Sequence, residues 1–220
     1  MTKYRGVILD VDGTLVDSND AHAHAWVAAL SENGVEVEFA RIRRLIGMGG
    51  DQLLPEVSGL DADGAEGKRI GERRGEIFKD RYLPTLNAFR DTRRLLEAMK
   101  ERGLRLVVAS SAKKDELEPL LEIAGASDLI EAQTSADDAE KSKPEPDIVL
   151  AALRTLGMSP TEVVMLGDTP YDLQACQKAG VAMIGLRSGG WSAGDLAGAI
   201  AVYANPADLL ARLDESPLGK

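Results

Sequence analysis

Short apolar runs alternate with amphipathic stretches along most of this 220-residue chain. The runs have the length of buried strands, while stretches such as residues 91–101 repeat their apolar positions with helical spacing. Such an alternation predicts an α/β fold with a parallel, helix-covered sheet. The predicted strands are residues 6–9, 104–109, 129–132, 163–166, 182–186 and 201–203.

Between the first two strands, the pattern changes. About 70 residues contain no good strand there, which is far longer than an ordinary crossover connection. We interpret this block as a helical insertion whose first helix covers residues 20–33 and ends at Gly34. With hinges at residues 15–19 and 81–88, the prediction is a core of residues 1–16 plus 88–220 and a helical cap domain of residues 17–87.

Composition and charge narrow the class of protein. The chain is 44% hydrophobic, so it can bury a substantial core, and its formal net charge of −10 is spread without a basic block. We therefore expect no nucleic-acid partner and no membrane partner. A single cysteine forms no internal disulfide, and the apolar run before Asp10 is too short for a signal sequence or a membrane span. These features predict a cytoplasmic protein.

Polar residues follow or flank the predicted strands at four places. In an open parallel sheet, ligands bind beyond the carboxyl ends of the strands, so these groups should converge. Three carboxylates, a lysine and hydroxyls at one edge suit Mg²⁺ beside a bound phosphoryl group. The residues are Asp10 and Asp12, Ser110 and Ser111, Lys143 in "KSKPEPD", and Asp168 and Asp172 in "GDTPYD".

The spacing of Asp10 and Asp12 suits phosphate ester chemistry. One carboxylate, Asp10, can attack phosphorus if a cation screens it, which divides a very slow hydrolysis into two easier steps. The second, Asp12, lies on the same face of an extended segment and can protonate the leaving oxygen, then accept a proton from water. Gly13 permits the backbone to wrap around the phosphate. The alternative is an ordinary turn, since Asp and Gly often end strands.

The segment "DVDGTLVDS", the serine after the second strand, "KSKPEPD" and "GDTPYD" resemble the four ordered motifs of the haloacid dehalogenase superfamily. Within it, the chain is similar to the phosphoglycolate phosphatase and β-phosphoglucomutase group, which carries a helical cap. The resemblance implies a Rossmann-like core, Mg²⁺ and a small phosphorylated metabolite as substrate. It implies these roles: Asp10 as nucleophile and metal ligand, Asp12 as general acid/base and metal ligand through its backbone carbonyl, Ser110, Ser111 and Lys143 as phosphate-binding residues, and Asp168 and Asp172 as metal-site residues.

Several of these residues have a second interpretation. Ser110 or Ser111 could cap the helix predicted near Lys113. Lys143 could be a solvated lysine in the extended backbone before a proline. Asp172 falls in the first turn of a helix predicted to begin with Thr169 and Pro170, where the helix dipole favours an acid anyway. Cys176 is interpreted as core packing.

Two histidines lie in the predicted cap. His22 and His24 are two positions apart on a helix, so they cannot bind one metal from one face. His22 occupies a position that resembles the cap histidine of the mutases. An exposed helix histidine is the alternative.

Substrate recognition is harder to predict. The loop "GMGGD" lies where the resembled group places substrate-reading residues, but it lacks the arginine that the mutases use for a second phosphate. Arg73 and Arg74 are the remaining cationic candidates, and of these we predict Arg74, with His22, as a substrate residue. Gly167 precedes Asp168 where the mutases have a second acid, which is similar to the phosphatase form.

The sequence therefore favours a Mg²⁺-dependent phosphatase that hydrolyses a small organic phosphate monoester through an aspartyl-phosphate. A sugar phosphomutase using the same intermediate is the alternative. A catalytically inactive binding module would be indicated by loss of Asp10 or Asp12, and both are present. A dehalogenase is disfavoured because the dehalogenase branch of the superfamily lacks an acid at the position of Asp12.

Overall fold

The computed structural model describes residues 4–138 and 140–219. The outer ends of the predicted core, residues 1 and 220, lie outside these ranges. A six-stranded sheet of order β3-β2-β1-β4-β5-β6 occupies the centre, and every strand pairing is parallel. The parallel sheet predicted from the alternating pattern is confirmed. The strands are β1 Gly6–Leu9, β2 Arg105–Ala109, β3 Ala132–Thr134, β4 Val163–Gly167, β5 Ala182–Leu186 and β6 Ala201–Tyr203.

The third strand begins three residues later in the chain than predicted. The apolar residues Leu129 and Ile130 favour a strand over residues 129–132, yet β3 begins only at Ala132. The backbone N–H groups of Leu129 and Ile130 both donate to Ala126 O, so this apolar pair lies in a turn after a helix. Both side chains pack against the core from that turn. Apolar burial without strand geometry explains the misassignment.

Helices cover both faces of the sheet, because successive strand residues point to opposite sides. The helices are α1 Asn19–Glu32, α2 Phe39–Leu45, α3 Gly50–Ser58, α4 Ala65–Ile77, α5 Thr92–Glu101, α6 Lys114–Ile123, α7 Asp147–Leu156, α8 Pro170–Ala179 and α9 Pro206–Ala211. Val7 and Leu9 pack with α5, α6 and α9, whereas Ile8 between them packs with α7 and α8.

The insertion between β1 and β2 begins with helices α1 to α4, and its first helix lies within one residue of the predicted range. The segments that enter and leave this insertion run side by side: Asp17 N donates to Asn87 O at 3.0 Å, and Phe89 N donates to Leu15 O at 3.0 Å. Within the described residues, no helix is both long and apolar enough to cross a membrane. The division into core and cap at residues 17 and 87 stays a prediction.

The insertion contacts the rest of the chain on two sides of β1. On one side, Tyr171 Oη donates to Arg44 O at 2.7 Å, and the Arg44 guanidinium lies 4.6 Å from the centre of the Trp191 ring. On the other side, Ser142 N donates to Asp51 Oδ2 at 3.1 Å. These contacts hold the insertion over the carboxyl ends of the strands.

Candidate active site

Asp10, Lys143 and Asp172 form one buried chain of charges. Asp10 follows β1 directly, Lys143 lies in the loop before α7, and Asp172 lies in the first turn of α8. Lys143 Nζ donates to Asp10 Oδ1 at 2.5 Å and to Asp172 Oδ1 at 2.8 Å. Lys143 is only 1% exposed. The alternative of a solvated surface lysine is therefore wrong.

Thr169 fixes the acid that holds this lysine. Thr169 N and Oγ1 donate to Asp172 Oδ2 at 3.0 and 2.7 Å, and Thr169 Oγ1 accepts from Asp172 N at 3.1 Å. This reciprocal capping box makes Thr169 the N-cap of α8, as the Thr-Pro pair predicted, and adds a bond back from Asp172 that was not predicted. Both oxygens of Asp172 thus have partners, and Lys143 is oriented by an acid that is itself anchored to a helix terminus.

The electrostatics of this chain follow from burial. Burial raises the pKa of Asp10 to about 7, with Lys143 opposing the rise and Asp172 adding to it. Burial alone would lower the pKa of Lys143, but the two carboxylates outweigh it and raise that pKa well above the usual range. Lys143 is therefore a permanent buried cation next to Asp10.

Asp168, directly after β4, lies beside Asp10. Thr14 Oγ1 is 2.9 Å from Asp168 Oδ1 and 3.2 Å from Asp10 Oδ2, and Asn19 Nδ2 donates to Asp168 Oδ2 at 3.1 Å. Burial raises the pKa of Asp168 well above its ordinary value, and the charges of Asp10 and Asp172 raise it further. The folded site accordingly disfavours the ionised form of Asp168 until a positive charge joins it.

These three acids fit a hard cation. Carboxylate oxygens of Asp10, Asp168 and Asp172 lie within 4.8 Å of one another, and all three side chains are buried. A single lysine does not balance three buried acids, so the charge of Asp172 adds to the effect of burial in raising the pKa of Asp10 and that of Asp168. An all-oxygen donor set with an unbalanced negative charge suits Mg²⁺.

Gly13 brings the backbone against this cluster. Its φ is +75°, and a Cβ built on it would lie 2.3 Å from Asp168 Oδ2. Only glycine combines this backbone conformation with so close an approach. The turn interpretation of the Asp-Gly pair is correct for the backbone, and the turn places Asp10 and Asp12 at the strand end together.

Asp12 faces the insertion instead of the acid cluster. Ser18 Oγ donates to Asp12 Oδ1 at 2.5 Å, and His22 Nε2 lies 2.8 Å from the same oxygen. Burial alone would raise the pKa of Asp12, but His22 and Ser18 outweigh it and leave that pKa below its usual value. The His22 ring stacks on Phe78 with centroids 3.9 Å apart. His22 is thus a buried residue at the site, and the exposed-helix alternative is wrong.

The two serines after β2 have different surroundings. Ser110 is fully buried, and its Oγ accepts from Ala112 N at 3.0 Å in the turn before α6. Ser111 Oγ is buried without a hydrogen-bond partner in the described part of the chain. Neither serine caps α6, which begins after Lys113 without a side-chain cap.

A cavity of about 50 Å³ lies between the strand ends and the insertion. Asp10 and Asp12 form part of its wall, with Ser111 beside them, and His22 and Arg74 contribute from the insertion. The predicted loop also lines it, through Gly47, Met48 and Gly50. Five of the predicted site residues therefore share one cavity.

Arg73 and His24 point elsewhere. Arg73 forms ion pairs with Glu32 and Glu76 on the surface, and His24 packs against Phe39 and Tyr82. Of the two arginine candidates only Arg74 lines the cavity, and of the two histidines only His22 does.

Four residues at the site were missed in the sequence. Thr14 and Asn19 could have been found, since Thr14 lies within the first motif and Asn19 directly follows it. Trp26 lies on the first helix of the insertion, where an apolar residue is ordinary and indicates no site. Glu116 gave no signal, because an acid in the first turn of a helix is ordinary. The structure places Glu116 in the cavity wall, paired with Arg74 at 2.7 Å.

Comparison with known proteins places this arrangement in a family. A family model described as haloacid dehalogenase-like hydrolase matches residues 7–186. The chain belongs to this family. Its match to a hydrolase structure from Pseudomonas syringae has a TM-score of 0.88 at 32% identity and covers 96% of this chain and 98% of the other.

Curated relatives in this haloacid dehalogenase-like family include phosphatases. Probable phosphatase IndB of Dickeya dadantii is 30% identical and covers 83% of this chain and 81% of that protein. Phosphoglycolate phosphatase of Rhodospirillum rubrum is 31% identical and covers 93% and 89%. Protein SUPPRESSOR OF QUENCHING 1, chloroplastic, of Arabidopsis thaliana is 34% identical over 84% of this chain, which spans only 18% of that protein. The chain is a hydrolase, and its enzyme class is that of phosphoric monoester hydrolases.

Proposed function

We propose that this hydrolase is a Mg²⁺-dependent phosphatase that cleaves a small organic phosphate monoester through an aspartyl-phosphate. One observation carries the proposal: Asp10 lies at the cavity wall, held by buried Lys143 at 2.5 Å, with Asp168 and Asp172 around it. A carboxylate in that position can approach a phosphate dianion, because Lys143 and a bound cation offset the repulsion.

In the first step, a carboxylate oxygen of Asp10 attacks phosphorus, and the bond between phosphorus and the ester oxygen breaks. Asp12 gives a proton to the departing alcohol. In the second step, water attacks the aspartyl-phosphate, Asp12 takes the water proton, and inorganic phosphate and the Asp10 carboxylate are released.

Mg²⁺ held by Asp10, Asp168 and the backbone carbonyl of Asp12 would supply positive charge next to the phosphoryl oxygens. Asp172 supports this site by fixing Lys143, while Ser110, Ser111 and Lys143 are proposed to bind the phosphoryl group. We propose that residues 17–87 act as a cap that closes over the substrate, with His22 and Arg74 among its contacts. A cytoplasmic location also stays a prediction.

The test is phosphate release from a panel of small phosphate esters. We expect release with Mg²⁺, none after chelation, and recovery when Mg²⁺ is returned. Asp10→Asn keeps the size of the side chain and removes its nucleophilic oxygen, so we expect the folded variant to lose essentially all turnover. Substantial activity in folded Asp10→Asn, or full activity after exhaustive metal removal, would contradict the proposal.

The contact between His22 and Asp12 favours a second candidate, a sugar phosphomutase. Two observations weigh against it. Arg74 is already paired with Glu116, and a side chain at Gly167 would begin 2.8 Å from Asp172 Cγ, so a second acid does not fit there without a shift. The assay is β-glucose 1-phosphate with and without a bisphosphate activator. Glucose 6-phosphate formed much faster than phosphate from any ester would establish the mutase.

A further inference from the structure

A buried ion pair joins the insertion to the core at the cavity. Arg74 lies near the end of α4 and Glu116 in the first turn of α6. Arg74 Nη1 donates to Glu116 Oε2 at 2.7 Å, and the two side chains are 11% and 2% exposed. Both residues line the same cavity as Asp10 and Asp12. The wall that faces the organic part of a substrate therefore carries one positive and one negative charge.

Glu116 is held in this place by more than Arg74. Its Oε1 lies 3.1 Å from the point where a Cβ on Gly75 would be, so the backbone of α4 is packed against the carboxylate. If Arg74 turned away to bind another anion, Glu116 would be left as a buried charge without its partner, which is strongly unfavourable. The charge of Arg74 is thus committed to Glu116.

Hydrogen-bonding groups without partners remain in the same wall. Arg74 Nε and Ser111 Oγ are both buried and make no hydrogen bond within the described residues. The Arg74 guanidinium lies 5.4 Å from the centre of the Trp26 ring, and Trp26 also lines the cavity. A neutral oxygen satisfies an N–H donor and a hydroxyl, and an aromatic face packs against carbon.

We propose that the organic part of the substrate carries uncharged hydroxyl groups, and that the Arg74–Glu116 pair selects against esters with a carboxylate or a second phosphate there. This inference rests on the proposed phosphatase function. A hydroxyl can accept from Arg74 Nε and donate to Ser111 or Glu116 without adding charge. A carboxylate at that position would instead meet Glu116 in a poorly solvated cavity.

Two esters of similar size test this selection. 2-Hydroxyethyl phosphate and 2-phosphoglycolate differ at the terminal carbon, which is a hydroxymethyl carbon in the first and the carboxylate carbon in the second. We expect kcat/KM to be higher for 2-hydroxyethyl phosphate by at least about tenfold. Equal values, or a preference for 2-phosphoglycolate, would overturn the inference.

The variant Glu116→Gln tests whether Glu116 is the residue that causes this substrate preference. The introduced amide oxygen can still accept from Arg74, but it carries no charge and leaves the arginine charge free for an anion. We expect the preference to shift toward 2-phosphoglycolate by roughly tenfold. Asp115→Asn is the matched control, because Asp115 also joins α6 to the insertion, through Lys79 in the segment after α4, but does not line this cavity. Its preference should equal that of the wild type.

An unchanged preference in Glu116→Gln would overturn the role of Glu116, and if that variant does not fold, the wild-type preference alone decides. Hydrolysis of p-nitrophenyl phosphate distinguishes a failure of the proposed function from a failure of the inference. If neither it nor any other ester releases phosphate, the proposed function fails. If it is hydrolysed but 2-phosphoglycolate is preferred, only the inference fails.

Discussion

Asp168 destabilises the folded protein when the proposed metal site holds no cation. It is fully buried beside Asp10 and Asp172, and receives hydrogen bonds from Thr14 and Asn19. Those donors do not offset burial and the neighbouring acids, so its pKa stays well above that of an exposed aspartate. In the absence of a cation, the ionised form is destabilising.

We therefore expect Asp168→Asn to stabilise the metal-free protein at neutral pH. As the pH rises through about 4, an unfolded Asp168 loses its proton while the folded one retains it, so the free energy of unfolding of the wild type falls. The variant lacks this loss. Its advantage in metal-free buffer should be small at pH 4 and should grow as the pH rises to 8. Thermal unfolding across that range measures it.

The asparagine can be accommodated, because its amide group can donate to Thr14, whose hydroxyl then donates to Asp10. Asp80→Asn, at an exposed position of the insertion, is the control and should show no such pH-dependent difference. Mg²⁺ should raise the melting temperature of the wild type and not that of Asp168→Asn. A wild type more stable than the variant in metal-free buffer at pH 8 would show that Asp168 is not strained.

Some site residues can be located from the sequence, whereas others come together only through tertiary packing. Asp10, Asp168 and Lys143 could be predicted, because each lies at or near a strand end and the carboxyl ends of parallel strands share one edge. Glu116 could not be. It lies 42 positions from Arg74, and only the packing of α4 over α6 brings the two together.

At the scale of elements, α8 links fold stability to the site. Its capping box uses Thr169 and Asp172, and the same Asp172 orients Lys143. A helix terminus that would need a cap in any α/β fold is thus also the anchor of a buried cation. The sequence predicted this start, because Thr, Pro and an acid in the first turn are each favoured there.

Removing the cap should therefore cost stability. For Thr169→Ala, we expect the free energy of unfolding to fall by about 1–2 kcal/mol, as for other N-cap substitutions. Urea unfolding followed by circular dichroism measures the loss. Thr169→Ser retains the hydroxyl and should lose less than about 0.5 kcal/mol. Equal stability of the alanine variant and the wild type would mean that the box contributes nothing.

Most strands were predictable because they are short, largely buried apolar runs. The third strand was not, since β3 is Ala132–Thr134 and contains Gln133 and Thr134, while the apolar pair before it packs from a turn. At the sheet edge, a strand is defined by its hydrogen bonds to β2, and hydrophobicity alone does not reveal those.

At the scale of the whole molecule, the insertion is seated on the core by close backbone approach. A Cβ on Gly49 would lie 2.1 Å from Ser142 Oγ, and Ser142 precedes Lys143. The φ of Gly49 is −72°, so alanine is excluded by space and not by backbone conformation. The loop that lines the cavity can reach the core only because this position has no side chain.

Gly49→Ala should prevent this seating. We expect kcat/KM for a hydrolysed ester to fall by about tenfold or more, since small displacements at an active site are costly. The double variant Gly49→Ala with Ser142→Gly removes the clash with Ser142 and leaves only the end of the Asp51 side chain, 2.4 Å from the added Cβ, to shift, so it should recover most of the activity. Gly71→Ala is the control, because nothing lies within 4 Å of its added Cβ. Full activity of Gly49→Ala would show that the loop need not seat.

The two tryptophans of the chain are placed at opposite contacts of the insertion with the core. Trp26 lies under the arginine that reaches Glu116, and Trp191 packs between Arg44 and Tyr171. Both indoles would change surroundings if the insertion moved, and Trp191 Nε1, which is buried, would gain water. The chain therefore contains intrinsic fluorescence probes at two contacts between the insertion and the core, so that any movement of the insertion can be followed by light without any label.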